Sequence, residues 1–327
     1  MYSQKPLLEL LYAGKVPGES GIPKHIETVI SNVFLFNERV YKVYKNNNEF
    51  FNKSFHDISI KEERFAFSTS DFEWNRQLAK EVHLRLQGVK VEGDSIIFPD
   101  ESKNAEELLL VTARLPAGTV LLDQLQKGNL TEVDFYEIGK QFAAREKGFV
   151  WRGGFPDESL LENMLGRYPD VIEWVKNAET YLSTKEREEY GKWLKELIMR
   201  VYTGETASVT ICFDFHSLNA FYVNQTLYPF DTHPPKDSWR FGPPWLNIYR
   251  LAADIFAIAG EKEFRAVIRG YFEQIKAPSP PDEVERLLIV YSALIMVSSL
   301  YMLARTDTGK LESAVKYHDF LKRYVAS

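Results

Sequence analysis

The side chains best suited to chemistry lie in one short segment, residues 209–235. This segment carries carboxylate, amide and imidazole groups among strongly apolar neighbours: Asp214, His216, Asn219, Asp231 and His233. Phosphoryl transfer from ATP uses an aspartate near the acceptor hydroxyl, and an asparagine with a second aspartate to hold magnesium on the phosphates. Carboxylate and amide oxygens are also the ligands that Mg²⁺ prefers. Asp214, Asn219 and Asp231 supply this set, although a D-x-x-x-x-N match alone is common by chance and also fits a polar loop.

A turn inside the segment would bring these groups together. The stretches "SVTICFDF" and "FYVNQTLYPFD" are rich in β-branched and aromatic residues, and Asn224-Gln225 predicts a turn between two short strands. Such a hairpin returns Asp231 to the neighbourhood of Asn219. The spacing therefore meets the geometric requirement for a shared metal ion.

A second chemistry is open for the same segment. Cys212, Asp214 and His216 alternate along the chain, so on a strand all three side chains would project from one face. Thiolate, carboxylate and imidazole together suit zinc and a metal-activated water, which would make the protein a zinc-dependent hydrolase. A core histidine that braces the loop is the interpretation of His216 that we favour.

Two parts of the chain with different predicted secondary structure surround this segment. The first third of the chain has short strand-like stretches, "HIETVIS", "NVFLFN" and "RVYKVYK", and then a capping box from Ser59 to Glu62 that starts a long helical pattern. Two further strand-like stretches precede a connector at residues 116–118. Beyond this connector helical patterns dominate, and the polar hairpin of residues 209–235 lies among them. The sequence therefore predicts an α+β protein with two lobes. Residues 1–115 would form a small antiparallel sheet with one long helix, and residues 116–327 a larger, mainly helical lobe.

This layout is that of a two-lobed kinase, and the motifs support a family resemblance. "DFHSLN" followed by "YPFD" resembles the "HGDLHxxN … FD" segment of the aminoglycoside phosphotransferase family, which has the protein-kinase-like fold. "HIETVISNVFLFNERVYKVYK" resembles the "HIETHISWV … YKIKK" opening of a bacterial branch of that family. "SIKEERF … WNRQLAKEV" and "LLDQLQKGNLT" extend the similarity, from about His25 to about Ile258. Some members of the branch carry a further P-loop domain. No G-x-x-x-x-G-K-[ST] stretch occurs here, so we expect that domain to be absent.

The resemblance implies a role for each matching residue in the second lobe. Asp214 matches the catalytic base, and Asn219 and Asp231 match the ligands of Mg²⁺. Asp254 in "LAADI" matches an aspartate that braces the catalytic loop, as His216 would also do.

The resemblance also implies a nucleotide site in the first lobe. Lys42 in "RVYKVYK" matches the strand lysine that contacts the α- and β-phosphates of ATP. Either Asp71 or Glu73 would pair with this lysine, and the best register favours Asp71. ATP and Mg²⁺ are therefore the expected cofactors.

Two departures from the family pattern leave the activity open. Cys212-Phe213 stands where the family has His-Gly, and the stretch "THPPKDSWRFGPPW" after Asp231 lacks the usual "EFN". The preferred interpretation is an ATP-dependent phosphotransferase acting on a hydroxyl of a small molecule. A catalytically impaired pseudokinase with a nucleotide-binding or regulatory role is the first alternative, and the zinc hydrolase is the second.

Bulk properties narrow the choice of partner and compartment. A formal net charge of −6 provides no broad basic surface for a nucleic acid. The N-terminus "MYSQKPLLELLYAG" lacks the features of a signal peptide, so we expect a cytoplasmic protein. The apolar run Leu287 to Ala304 approaches the length of a membrane span, but serines and tyrosines interrupt it, and we interpret it as a buried helix. The sequence does not specify the acceptor or the oligomeric state.

Overall fold

The computed structural model describes residues 3–99, 104–234, 236–304 and 309–326. Its contacts divide the chain into two compact units. The first comprises Met1–Ala117 and Tyr228–Lys236, and the second comprises Gly118–Leu227 and Asp237–Ser327. The division drawn from the sequence, 1–115 and 116–327, leaves residues 228–236 with the second lobe. In the structure this segment, which contains Asp231, groups with the first unit.

An antiparallel sheet with strand order β1-β2-β3-β6-β4-β5 forms the body of the first unit. Its strands are β1 (Lys24–Glu27), β2 (Ser31–Leu35), β3 (Arg39–Tyr44), β4 (His83–Glu92), β5 (Ser95–Ile97) and β6 (Glu107–Ala113). The helices are α1 (Lys5–Tyr12), α2 (Glu49–Ser54) and the long α3 (Lys61–Leu78). In the register of the sheet, Lys42 on β3 lies opposite Val33 on β2 and Leu110 on β6. Lys42 is therefore held on an interior strand.

A buried ion pair anchors α3 to the sheet. The Arg64 Nη2 atom on α3 lies 2.9 Å from Glu107 Oε2 on β6, and each side chain is 1% exposed. Gln4 donates a further hydrogen bond of 2.7 Å to the same carboxylate. Arg64 Nε donates to both Glu107 oxygens at 3.0 Å. A buried charge pair needs such hydrogen bonds to be retained, so these contacts fix the position of α3 along the sheet.

Two local predictions in this unit are wrong in detail. Helix α3 begins at Lys61 with Ile60 as its N-cap, because the backbone and hydroxyl of Ser59 donate to Asp57 rather than forming the predicted capping box. The polar composition of "KNNNEFFNK" predicts a loop, yet all but the last residue of α2 lies within it. Asn48 caps this helix by accepting a hydrogen bond from the Phe51 N–H.

Helices dominate the second unit. They are α4 (Leu121–Lys127), α5 (Glu132–Gly148), α6 (Leu160–Asn177), α7 (Thr184–Tyr202), α8 (Leu246–Ile258), α9 (Glu261–Ile275), α10 (Asp282–Ala304) and α11 (Gly309–Ala326). Strands β7 (Thr210–Ile211) and β10 (Phe241–Gly242) pair with each other, as do β8 (Ala220–Val223) and β9 (Thr226–Pro229). The boundary between the two units falls within β9. Asn224 and Gln225 have φ of 47° and 59°, which is typical of the tight hairpin turn predicted there.

Reciprocal capping sets where several of these helices begin. Thr131 with Asp134, Ser159 with Glu162, and Ser183 with Glu186 form capping boxes at the N-termini of α5, α6 and α7. The stretch "PDVIEWVKNAETYL" has helical spacing and predicts a helix that starts at Pro169. Because Ser159 caps α6, the helix instead starts at Leu160, and Pro169 lies within it.

Helix α10 is the apolar run that raised the membrane question. Among the described residues it is the one helix long and apolar enough to cross a bilayer. Its most apolar window of 18 residues has a mean hydropathy of 2.2, but 83% of this window is buried inside the protein. It packs against α6, α7, α8 and α11. The prediction of a buried core helix is confirmed.

Close approach of α5 and α9 depends on two glycines. A Cβ atom on Gly139 would lie 2.0 Å from the Val267 carbonyl oxygen, and one on Gly270 would lie 2.0 Å from the Tyr136 carbonyl oxygen. Backbone oxygens within helices cannot move aside as flexible side chains can, so any side chain would force the two helices apart.

We expect Gly139→Ala to destabilise the protein by roughly 1–3 kcal/mol, because the overpacked contact outweighs a gain of up to about 1 kcal/mol in helix propensity. Gly166→Ala on α6 is the matched control, since a Cβ there meets nothing within 4 Å among the described residues. It should stabilise by about 0.5–1 kcal/mol. Urea unfolding measures both variants, and equal shifts in the same direction would contradict the close contact.

Candidate functional site

A lysine and two aspartates meet in the first unit. The Lys42 Nζ atom lies 2.6 Å from Asp231 Oδ1 and 4.0 Å from Asp71 Oδ2. The Lys42 and Asp71 side chains are 16% and 3% exposed, whereas that of Asp231 is 47% exposed. Glu73, the other acidic residue predicted to meet the lysine, is exposed on α3. The structure thus brings together Lys42, Asp71 and Asp231, which are far apart in sequence.

Hydrogen bonds fix both aspartates. Tyr44 donates to Asp71 Oδ2 at 2.7 Å, and the Asn75 amide donates to Asp71 Oδ1 at 2.8 Å. The Asn75 Oδ1 atom in turn accepts from the Thr232 N–H at 2.7 Å and from its hydroxyl at 2.9 Å. Asp231 has a φ of 51°, in the left-handed region. Asn75, which the sequence analysis did not identify, therefore links Asp71 to the residue that follows Asp231.

Charge and burial oppose each other in this cluster. Burial would lower the pKa of Lys42, but the carboxylates of Asp231 and Asp71 outweigh it and raise that pKa above its ordinary value. Burial raises the pKa of Asp71, and the nearby Lys42 opposes this effect. The Lys42 ammonium group thus offsets part of the free-energy cost of burying the Asp71 carboxylate.

In the second unit, Asp214 lies on an irregular loop with His216, and Asn219 ends the short 3-10 helix that follows. The Asp214 Oδ1 atom lies 2.6 Å from Arg250 Nη2 on α8 and 3.9 Å from His216 Nε2. The Asn219 amide donates to the Asp214 backbone carbonyl at 2.8 Å. Arg250 was not identified from the sequence, since nothing local to position 250 indicates a partner 36 residues away.

Helix α8 supports the backbone of this loop. The buried Asp254 carboxylate accepts hydrogen bonds from the Ser217 N–H at 2.8 Å and from its hydroxyl at 2.7 Å. Burial raises the pKa of Asp254, while the charge of His216 and the bonds from Ser217 and Tyr317 act against that rise. Two turns of α8 earlier, Asn247 accepts from the Phe213 N–H at 2.8 Å.

Cys212 occupies the position where the resembled family has histidine. Its thiol is buried, and burial raises its pKa although Arg167 lies beside it. The sulfur is also close to the backbone, since a Cβ on Gly242 would lie 2.6 Å from it. Arg167 donates at 2.6 Å to the Trp239 carbonyl and at 2.7 Å to the Phe241 carbonyl.

These surroundings contradict the predicted zinc site. The alternation of Cys212, Asp214 and His216 would place them on one face only in a strand, and strand β7 ends at Ile211. Among the residues that the structure describes, no group of three or more His, Cys, Asp or Glu side chains is placed to hold a metal ion. In the described part of the chain, Cys212, Asp214 and His216 therefore do not form the predicted zinc site.

Comparisons with known proteins bear on the fold. No protein-family model matches the chain, and no curated protein sequence matches it. Solved structures do match. A glucosamine kinase in complex with glucosamine, ADP and inorganic phosphate is 14% identical, with 97% of this chain and 82% of that chain covered and a TM-score of 0.54. The aminoglycoside phosphotransferase APH(4)-Ia is 14% identical, with 98% and 99% covered and a TM-score of 0.51. The APH(3'')-Id enzyme of Streptomyces rimosus is 13% identical, with 90% and 99% covered and a TM-score of 0.50.

These similarities confirm the predicted fold class. The chain has the kinase-like fold, with an antiparallel-sheet N-terminal part and a mainly helical C-terminal part. Identities of 13–14% establish the fold alone. The bacterial branch suggested by the opening motif, and the role of each site residue, stay predictions.

The charge cluster generates a stability prediction. Replacing Lys42 with methionine leaves the buried Asp71 without its counter-charge, which should cost about 1–3 kcal/mol at pH 7. The pKa of Asp71 is already raised and would rise further. The deficit should therefore shrink as the pH falls and Asp71 becomes protonated. Denaturant unfolding at several pH values measures it.

Two further variants control this experiment. Lys42→Met combined with Asp71→Asn should recover most of the loss, because the amide needs no counter-charge. Lys45→Met removes a lysine whose partner Glu27 is 66% exposed, and should change stability by less than about 0.5 kcal/mol. If Lys42→Met cost the same in the unaltered protein and in the Asp71→Asn variant, the assigned coupling would be contradicted.

His83, at the start of β4, generates a second prediction. It is 5% exposed, and neither ring nitrogen has a hydrogen-bond partner among the described residues. Burial lowers its pKa to about 4. Because the folded-state pKa lies below the value of about 6.5 in the unfolded chain, this group costs the fold roughly 3 kcal/mol as the pH falls from about 7 to about 4. His83→Leu should flatten the loss of unfolding free energy over that range, and parallel pH profiles for the two proteins would exclude this role.

Proposed function

We propose that this protein is an ATP-dependent phosphotransferase that transfers the γ-phosphoryl group to a hydroxyl of a small molecule. The observation that carries the proposal is the cluster of Lys42 on an interior strand, Asp71 on the long helix and Asp231 after the hairpin. Kinases use a strand lysine held by a helix carboxylate to contact the phosphates, and an aspartate to bind the metal. The kinase-like fold agrees with this assignment but does not by itself establish activity.

Each residue of the cluster has a physical task in this proposal. Lys42 offers a charged ammonium group to the α- and β-phosphates, and Asp71 fixes the side chain that carries it. Asp231 and Asn219 would hold Mg²⁺ through carboxylate and amide oxygens, the donors that this ion prefers. The half-exposed carboxylate of Asp231 fits such a ligand. The ion would neutralise phosphate charge.

Asp214 is the proposed base for the acceptor hydroxyl. Its backbone is held by Asn219 and its carboxylate by Arg250. This arrangement orients the carboxylate that accepts the proton as the phosphoryl group is transferred. Positioning and electrostatics would supply most of the catalysis. The protein would act in the cytoplasm on a small-molecule partner.

A nucleotide-binding protein without turnover is the second candidate. The contact of 2.6 Å between Arg250 and Asp214 favours it, because an arginine already occupies one oxygen of the proposed base. Cys212-Phe213 in place of His-Gly also favours it. Both candidates require nucleotide binding, and only turnover distinguishes them.

Calorimetry with ATP and Mg²⁺, followed by an assay of ATP consumption, tests the proposal. We expect binding to the unaltered protein, and a loss of at least about tenfold in affinity for Lys42→Met combined with Asp71→Asn. Asp214→Asn should keep nucleotide affinity within about twofold while turnover falls about 10²-fold or more. Glucosamine is the first acceptor to test, since a glucosamine kinase shares the fold.

The controls separate the outcomes. Lys45→Met should bind ATP as the unaltered protein does. Binding without turnover on any acceptor in a panel of sugars and amino alcohols would favour the second candidate. No heat with ATP or GTP at millimolar concentration, with or without Mg²⁺, would contradict both.

A further inference from the structure

The second unit contains a cavity that the proposed chemistry does not use. Its volume is about 540 Å³, which is within the usual range for sites that bind small molecules. We call it the aromatic pocket, after the residues that characterise its wall: Glu146, Phe149, Trp151, Phe213, Trp245 and Tyr271. Asp214, Asn219 and Arg250 are not among its lining residues, so it is distinct from the groups assigned to catalysis.

Aromatic rings from four parts of the unit converge on this pocket. Phe149 follows α5, Trp245 precedes α8, Tyr271 lies on α9 and Phe213 comes directly before Asp214. The Phe149 and Phe213 rings are 5.0 Å apart and nearly perpendicular. The faces of such rings carry partial negative charge and attract cations.

The backbone of Trp245 is held in an unusual conformation. Its φ is 67°, in the left-handed region that bulky residues rarely adopt because it strains the backbone. The tryptophan is nevertheless the N-cap of α8, a place where serine, threonine, aspartate or asparagine would be favoured. Neither helix capping nor backbone preference explains a tryptophan here, whereas a large ring in the pocket wall does.

Glu146 gives the pocket its charge. The Asn247 amide donates to Glu146 Oε1 at 2.5 Å, and the Tyr271 hydroxyl donates to Oε2. These two hydrogen bonds favour the ionised carboxylate and oppose the rise in its pKa that burial causes. Neither partner carries a positive charge. Of the described residues that line the pocket, Glu146 alone carries a formal charge.

We propose that the aromatic pocket binds a small organic cation, an ammonium group that carries alkyl or benzyl substituents. Aromatic faces and a partly buried carboxylate are the combination that recognises such ions. Burial also raises the pKa of Glu146, so a bound cation would supply the counter-charge that this carboxylate lacks within the pocket. The inference goes beyond the proposed function and does not depend on it.

The pocket is connected to the loop that carries Asp214. Asn247, the partner of Glu146, donates to the Ile211 carbonyl at 2.9 Å and accepts from the Phe213 N–H at 2.8 Å. A ligand that contacts Glu146 therefore acts next to the residues that hold this loop.

Titration with benzyltrimethylammonium, followed by calorimetry and tryptophan fluorescence, tests the proposal on the full chain. Benzyl alcohol has the same ring without the charge. We expect saturable binding of the cation with a Kd of about 1 mM or below, and a clear preference for the cation over the alcohol. Glu146→Gln should weaken cation binding at least about tenfold and leave the alcohol unaffected.

Two more variants keep the test decisive. Glu137→Gln, which removes a carboxylate of α5 outside the pocket, should bind the cation as the unaltered protein does. Trp245→Gly relieves the positive φ, so it should fold even if Glu146→Gln does not, and it should also weaken binding. No saturable binding by the unaltered protein, or equal cation affinity in the unaltered protein and the folded pocket variants, would overturn the proposal.

Discussion

A buried segment without regular secondary structure must have its backbone polar groups satisfied by other parts of the protein. The loop from Cys212 to His216, with the short 3-10 helix Ser217–Asn219 that follows it, is such a segment. Helix α8 supplies two of the acceptors, and the Arg240 carbonyl accepts from the Cys212 N–H. Asn247 accepts from one backbone N–H of the loop and Asp254 accepts from another. These two helix residues therefore help to hold the backbone that carries the Asp214 and His216 side chains.

A second constraint acts in the first unit, where charge is removed from water. Asp71 is buried against Tyr44 and Asn75, and Lys42 supplies the opposite charge. The more exposed Asp231 takes the closer contact with that lysine. The cluster is thus asymmetric, with one carboxylate fixed and desolvated and the other in contact with solvent. Losing the contact with Lys42 therefore costs less free energy at Asp231, which water can solvate, than at the buried Asp71.

How much of this could be predicted from the sequence depends on the range of the interaction concerned. Helical periodicity indicated α5 and α7 to α10, and the Asn224-Gln225 pair indicated its hairpin, because these signals are local. Contacts between residues that are far apart in the sequence gave no such local signal. Arg250 meets Asp214 and Asn75 meets Thr232 only after tertiary packing, across 36 and 157 residues. Some local patterns also predicted the wrong structure, because neighbouring residues favoured a different one.

Three errors illustrate that competition. Asp57 engages Ser59, so the predicted cap of α3 does not form. The proline of α6 lies inside the helix because the capping box of Ser159 and Glu162 starts the helix earlier. The proposed alternation of three metal ligands required a strand, and the chain leaves its strand after Ile211. In each case a pattern permitted one structure, while neighbouring residues determined another.

Helix α10 has a consequence for the way the chain is made. In an unfolded nascent chain, a helix of 23 residues that contains an 18-residue window with a mean hydropathy of 2.2 resembles a membrane span to targeting factors and chaperones. Helices α6, α7 and α8, on which it packs, precede it and leave the ribosome first. Its burial during synthesis therefore depends on how early those helices assemble, and slow assembly would leave this apolar stretch exposed to aggregation.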